Sequence, residues 1–273
     1  MTNILEAIAT IINHPIPDLP SPKAFESFVK DAFANAINEP EPSKPEKYDE
    51  VFSWIRTNQS NPPNLMIRNG DAIEVYKIQS PKGSIQLNSS YPKSKLFSDN
   101  PQITLACREC ETWTEKDVIY SIGVTSKENL TTLWLIYGDC YAASQEYYEG
   151  IKDQIASGIN AISDVESSET EELGRVNQVD PLNITSLRIR GMWNINNPAR
   201  VFDNINTGYD RQTTFQIIAI MKENKYSSFP PDSKTMIESI SQSHPGFKIN
   251  TQSIKCPDNP DNLIPAKIIT YKV

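Results

Sequence analysis

Basic charge is in short supply in this sequence. Lysine and arginine together number 26 against 34 acidic residues, a formal net charge of −8. That balance excludes a protein that grips polyanions through a generally cationic surface, since such binding draws on an excess of basic charge. Histidine is scarcer still, and neither His14 nor His244 sits at the spacing of a finger-type zinc site. Four cysteines in 273 residues do not build a disulfide framework of the secreted kind. Cys107 and Cys110 form a single CxxC, which reads as local thiols rather than half of a zinc site, and Cys140 and Cys256 stand alone. There is no run of about 18 apolar residues to span a bilayer, so no membrane association is expected. The opening MTNILEAIATIINHP has neither a basic n-region nor a small-residue cleavage site, and a cytoplasmic location is expected. A Gly-rich phosphate loop, a nucleophile elbow and a paired-histidine metal motif are all missing, which argues against a small-molecule enzyme.

What is present is ordinary core-forming material: 38% hydrophobic against 22% charged residues, enough for one large domain over 1–273. Residues 3–13 read as a short amphipathic helix stopped by Pro15, Pro17 and Pro20. Ser21 is placed to cap a second helix with Pro22 at its first position, and Phe25, Phe28, Val29, Ala32, Phe33 and Ala36 recur on one face. A proline-rich charged loop, EPEPSKPEK, precedes a third helix expected from about Tyr48 to Arg56. VIYSIGVT and LTTLWLIYG predict two central strands joined by SKEN, SQEYYEGIKDQIASGINAI a helix, NPARVF a helix start, and TTFQIIAIM and PAKIITYKV further strands. This order predicts an α/β fold, a mixed central β-sheet flanked by helices.

The segment NPPNLMIRNGDAIEVYKI carries the chemistry. Asn69-Gly70 is a strong hairpin signal, because a two-residue type I′ turn needs positive φ at both positions. With those as the turn, Leu65 faces Glu74, and Asn64 lies beside Glu74 and Val75 at the open end. Polar groups are thereby gathered across an apolar hairpin, where a metal or substrate can sit. The arrangement resembles the PD-(D/E)xK nuclease core, in which an Asp after Pro and a Glu on the partner strand hold Mg²⁺ and a Lys two residues past the Glu orients the attacking water. Carboxylates suit this role because Mg²⁺ prefers hard oxygen ligands.

The chain as a whole resembles the NgoPII-like type II restriction endonucleases, in the blocks PPNLMIRNGDAIEVYKIQS, LNSSYPKSKLFSDNP, ACRECETWTEKDVIYSIGV, LWLIYGDCYAA, ELGRVNQVDPLNITSLRIRGMW and NPARVF. The resemblance implies Mg²⁺-dependent cleavage of double-stranded DNA at a short GC-rich palindrome of the GGCC kind, within a restriction and modification pair. It divides the domain into a helical part (1–60), a nuclease core (61–165) and a DNA-recognition part (166–273).

The family pattern places Asp where Asn64 stands and Lys where Tyr76 stands, so of the three motif positions only Glu74 matches. Strand alternation puts Lys77 on the face opposite Glu74 unless a β-bulge re-aims it, and Lys93 or Lys95 is the other source of an ammonium. Glu26 resembles the upstream helical acid that completes such sites as a further metal ligand. A catalytically impaired DNA-binding protein and a structure-specific repair nuclease are the competing readings on the same core.

Five of the eight arginines, Arg175, Arg188, Arg190, Arg200 and Arg211, fall in one stretch. In SLRIRGMW, alternation predicts Arg188 and Arg190 on one strand face, suited to guanine edges and phosphates, with Arg175 nearby. Trp193 reads as a core residue rather than a base-stacking platform. A palindromic site presents two equivalent half-sites, which leads to the expectation of a homodimer.

Overall fold

Caps and helical periodicity set the first elements of the computed structural model, which describes all residues except 1, 20, 58–60, 81–82, 162–164, 167–171, 177–179 and 183. Asn3 caps α1 (Ile4–Ile12), its side-chain oxygen accepting from the Leu5 and Glu6 amides. Ser21 caps α2 (Pro22–Phe33) by accepting from the Ala24 amide at 3.0 Å, with Pro22 opening the helix as expected. The apolar face of α2 is buried. Of the three helix-stopping prolines, Pro20 lies outside the described residues.

The third helix corrects the expectation. α3 (Lys44–Val51) stops early, and Phe52–Ile55 becomes strand β1. Its aromatic and β-branched residues suit a strand, and β1 finds an antiparallel partner in β2 (Leu65–Ile67), a pairing that outweighs continuation of the helix.

The hairpin from β2 into β3 (Ala72–Ile78) exists, but one residue out of the expected register: Leu65 pairs with Ile73 and Met66 with Ala72. The turn spans three residues. The Ile67 amide donates to the Asp71 carbonyl at 2.9 Å, and Asn69 alone takes positive φ, at 55°. Tertiary contacts explain the difference from a type I′ turn. The Lys116 ammonium donates to the Ile67 and Gly70 carbonyls at 3.2 and 2.7 Å, and Glu111 accepts from the Asn69 amide at 2.9 Å. A bonded hairpin tip need not adopt the turn its residues favour in isolation.

Beyond the hairpin come β4 (Ile85–Asn88), β5 (Lys95–Phe97) and α4 (Leu105–Glu109), then the two apolar strands β6 (Glu115–Ser126) and β7 (Asn129–Tyr137), antiparallel and central as expected. α5 (Gln145–Asn160) follows, with β8 (Val165–Glu166), β9 (Glu172–Val176) and β10 (Leu187–Arg190) in a small separate sheet, then β11 (Trp193–Ile195) and α6 (Pro198–Val201). The chain ends with β12 (Gln216–Lys222), α7 (Glu223–Ser228), α8 (Pro231–Ser243), β13 (Lys248–Lys255) and β14 (Leu263–Lys272).

Among the described residues the main sheet has nine strands in the order β1-β2-β3-β6-β7-β12-β14-β13, with β5 beside β6. β3 runs parallel to β6 and β7 to β12, while the other pairs are antiparallel, giving the mixed α/β sheet read from the sequence. Strands from both sides of residue 166 share this sheet, so the 166–273 part also completes the core. α1 packs against α2 and α8, and α2 lies against β3. Gly123 permits that approach, since a Cβ there would stand 2.5 Å from the Phe25 ring. No helix among the described residues is long and apolar enough to cross a membrane.

Candidate active site

β3 pairs with β6 without a break from Ala72–Val118 to Ile78–Val124, so no bulge disturbs its alternation. Glu74 and Tyr76 therefore share one face, and Val75 and Lys77 the other. Lys77 turns its ammonium to the Leu19 carbonyl at 2.6 Å, below α2. The bulge that would bring Lys77 to Glu74 is absent from this strand.

Asn64 is held from both sides at the open end of the hairpin. Its backbone carbonyl accepts the Arg56 amide at 2.8 Å, and its side-chain oxygen accepts the Val75 amide at 3.0 Å. One further step along the β2–β3 register sets Asn64 opposite Glu74. Both are buried, with 2% and 6% of their surface exposed. The amide nitrogen of Asn64 is buried without a hydrogen-bond partner, standing where an aspartate in this position would carry its second oxygen.

Around Glu74 stand Tyr76, Lys93 and Glu26, which the sequence pointed to, and Arg56 and Tyr120, which it did not. The Tyr76 hydroxyl donates to its carboxylate at 3.4 Å, and the Tyr76 ring stacks on Tyr120 with centroids 6.2 Å apart. The Tyr120 hydroxyl accepts from the Lys93 amide at 2.6 Å and donates to the Lys93 carbonyl at 3.1 Å. This ties buried Lys93 to the same sheet face, where its ammonium contacts the Ser90 hydroxyl. Burial pushes the Glu74 carboxyl above its usual range; the charges of Lys93 and Arg56 and the Tyr76 hydroxyl oppose this, while Glu26 reinforces it. Burial likewise drives Tyr76 well above an ordinary phenol. Arg56, at the end of a strand expected to be helix, carried no signal in the sequence.

The remaining residues divide. Glu26 on α2 pairs with Arg56 at 3.4 Å. Lys95 pairs instead with Glu115 at 2.6 Å and with Asp117 at 3.9 Å, in a cavity it shares with Asp71 and Lys225. Arg175 and Arg188 are exposed and directly opposite each other across β9 and β10. The irregularity between Ile189 and Arg190 falls on β9, where Leu173 is the extra residue, so β10 keeps its alternation and Arg190, opposite Glu172, is exposed like Arg188 with Ile189 half-buried between them. Leu187 on the same strand is exposed as well. Trp193 packs edge-on against Tyr91 and Tyr148, within the partly buried shell of the core. Burial raises the Cys107 thiol to about 12, and its sulfur lies 3.4 Å from that of Met66.

For Mg²⁺ the donor set is spare. Glu74 offers a carboxylate, the Asn64 oxygen already accepts a backbone hydrogen, and Glu26 is engaged by Arg56. No group of three or more His, Cys, Asp or Glu side chains among the described residues is arranged to hold a metal. One carboxylate suffices only where substrate phosphates supply further oxygens, as is common for Mg²⁺.

A family model described as NgoPII restriction endonuclease matches residues 2–255. The chain is 44% identical over 283 aligned residues, 98% of its own length and 99% of the relative's, to the Type II restriction enzyme NgoPII of Neisseria gonorrhoeae. No solved structure matches it.

Proposed function

The chain belongs to the NgoPII restriction endonuclease family and is a type II restriction endonuclease, and from that premise we propose that it cuts duplex DNA at a short GC-rich palindrome of the GGCC kind, using Mg²⁺ at Glu74. Type II restriction endonucleases generally use Mg²⁺. The observation that carries the site reading is a buried carboxylate, Glu74, opposite Asn64 on the hairpin and bonded by Tyr76, within the field of the positive charges of Lys93 and Arg56. Glu74 would hold the ion together with a DNA phosphate, and the ion when bound would supply water activation and neutralise charge at the phosphate. Lys93 takes the place of the absent motif lysine as the positive charge on this face, and the Tyr120 hydroxyl fixes the position of its backbone. Arg188 and Arg175 read the DNA, and a homodimer presents two copies of them to the two half-sites.

A second reading, an enzyme that binds its site but cuts weakly, is favoured by the unpartnered amide nitrogen of Asn64, a donor where the site calls for an acceptor. One experiment separates the two: plain phage DNA incubated with and without Mg²⁺, with light scattering on the protein alone and with DNA. Discrete bands that need Mg²⁺ support the first reading, and a mobility shift without cutting supports the second. Absence of both binding and cutting overturns the DNA assignment, and a monomer in every condition overturns the dimer.

A further inference from the structure

On the far side of β3 from Glu74 lies a groove of about 580 Å³, between the start of α2 and the end of β1. Its charged lining is Lys23, Lys30, Arg56 and Lys77 against one acid, Glu26. In a chain with a net charge of −8 that is an isolated concentration of positive charge, which focuses potential in a cleft far more than the same charges would on a convex surface. Three of the four cations carry no carboxylate among the described residues: Lys77 donates to the Leu19 carbonyl, Lys30 sits 4.2 Å above the Tyr48 ring, and Lys23 is exposed to solvent.

The groove does not resemble a pocket for a nucleotide or another small anion. No aromatic side chain among the described residues lines it, so a base has nothing there to stack on. Lys23 and Lys30 are seven residues apart on α2, about 10 Å along the helix axis, so their ammoniums can reach separate phosphates of one strand. The groove also adjoins the active site. Leu65, next to Asn64, and Val75, next to Glu74, form part of its wall, and Arg56 and Glu26 stand between the two.

We infer that this groove is a backbone-binding track, in which Lys23, Lys30 and Lys77 hold the phosphates that flank the scissile one as the DNA strand passes the sheet edge. The inference rests on the reading of the protein as a nuclease of duplex DNA and adds a subsite that carries no base information.

The test is anisotropy of a labelled random-sequence duplex in EDTA, over a series of NaCl concentrations. The proteins are the parent, the double variant Lys23→Gln with Lys30→Gln, the variant Ser27→Glu that puts an anion on the groove wall, and Lys248→Gln on the far-edge strand β13. Each phosphate contact contributes about 0.9 to the slope of log K on log salt, so the double variant should lose about 1.8 of slope. Ser27→Glu should weaken binding at low salt by about tenfold, and Lys248→Gln should leave affinity and slope at the parent's values. A double variant that melts at the parent temperature and keeps the parent's affinity and slope overturns the track, as does Ser27→Glu with unchanged binding. A parent protein with no salt-dependent affinity for duplex DNA overturns the nuclease reading itself, a different result from the variants failing to differ.

Discussion

The side-chain oxygen of Asn64 accepts the Val75 amide at 3.0 Å, and this bond holds Asn64 across the hairpin from Glu74 with its amide nitrogen turned inward and unpartnered. An aspartate would keep the same bond with one oxygen and present the other to the site. Asn64→Asp combined with Tyr76→Lys should therefore raise Mg²⁺-dependent cleavage about tenfold or more, some 1.4 kcal/mol of transition-state stabilisation. Single-turnover rates at saturating DNA would check this. Unchanged or reduced rates in a folded double variant would remove the motif positions from 64 and 76.

Glu74→Gln should abolish cleavage while leaving DNA binding intact, since the amide keeps the volume but loses the charge. A stability effect follows from the same burial. Because the folded-state pKa of Glu74 is raised above 4.5, its contribution to stability is present at low pH and is lost as pH rises through that folded value. The glutamine variant lacks this loss, so near neutral pH it should melt no lower than the parent. Melting curves across pH for both proteins test the point, and cleavage surviving in Glu74→Gln would dispose of the site.

Lys93→Gln should slow the cleavage step about 10²-fold, the usual effect of removing one charged group acting at a reacting phosphate, with DNA affinity little changed. Its backbone bonds to Tyr120 do not depend on the side chain. The measurement is single-turnover cleavage beside equilibrium binding. A parallel fall in both would make Lys93 a general binding residue, and no fall in either would remove it from the site.

Arg175 and Arg188 stand directly opposite each other on an exposed surface. Arg188→Ala should leave the fold intact, as substitutions at exposed positions usually do. It should also cost about 1–3 kcal/mol of specific DNA binding and relax discrimination at one base pair. Binding to a panel of single-base-pair variants of the site measures this. A uniform loss across the panel would identify a phosphate contact instead.

Lys225 lies 2.8 Å from Asp71 and 2.7 Å from Asp117, and the Tyr137 hydroxyl donates to Asp71 at 2.6 Å. Burial alone would lower the Lys225 pKa, but the two carboxylates outweigh it and raise it above 10.5. The stabilisation is therefore complete below 10.5 and is lost as pH climbs through the raised folded value. Lys225→Met, which leaves Asp71 buried without its ammonium, should cost about 3 kcal/mol at neutral pH and flatten the alkaline fall. Chemical denaturation at neutral and alkaline pH tests both.

Local physics made much of this protein legible. The cap at Ser21, the apolar face of α2, the central strands β6 and β7 and the alternation that parts Glu74 from Lys77 are properties of neighbouring residues, so spacing alone determined them. The early end of α3, the three-residue turn and the one-step change of register were decided by partners distant in sequence. β2 drew Phe52–Ile55 into a strand, and Lys116 and Glu111 pinned the hairpin tip. The surroundings of Glu74 belong to the same class. Asn64 and Glu74 are close in the chain and could be paired from it, whereas Arg56 and Lys93 meet them only because sheet pairing and the Tyr120 hydroxyl fix their backbones. The groove beneath α2 likewise joins a helix and a strand more than forty residues apart, and no sequence period connects side chains across that distance.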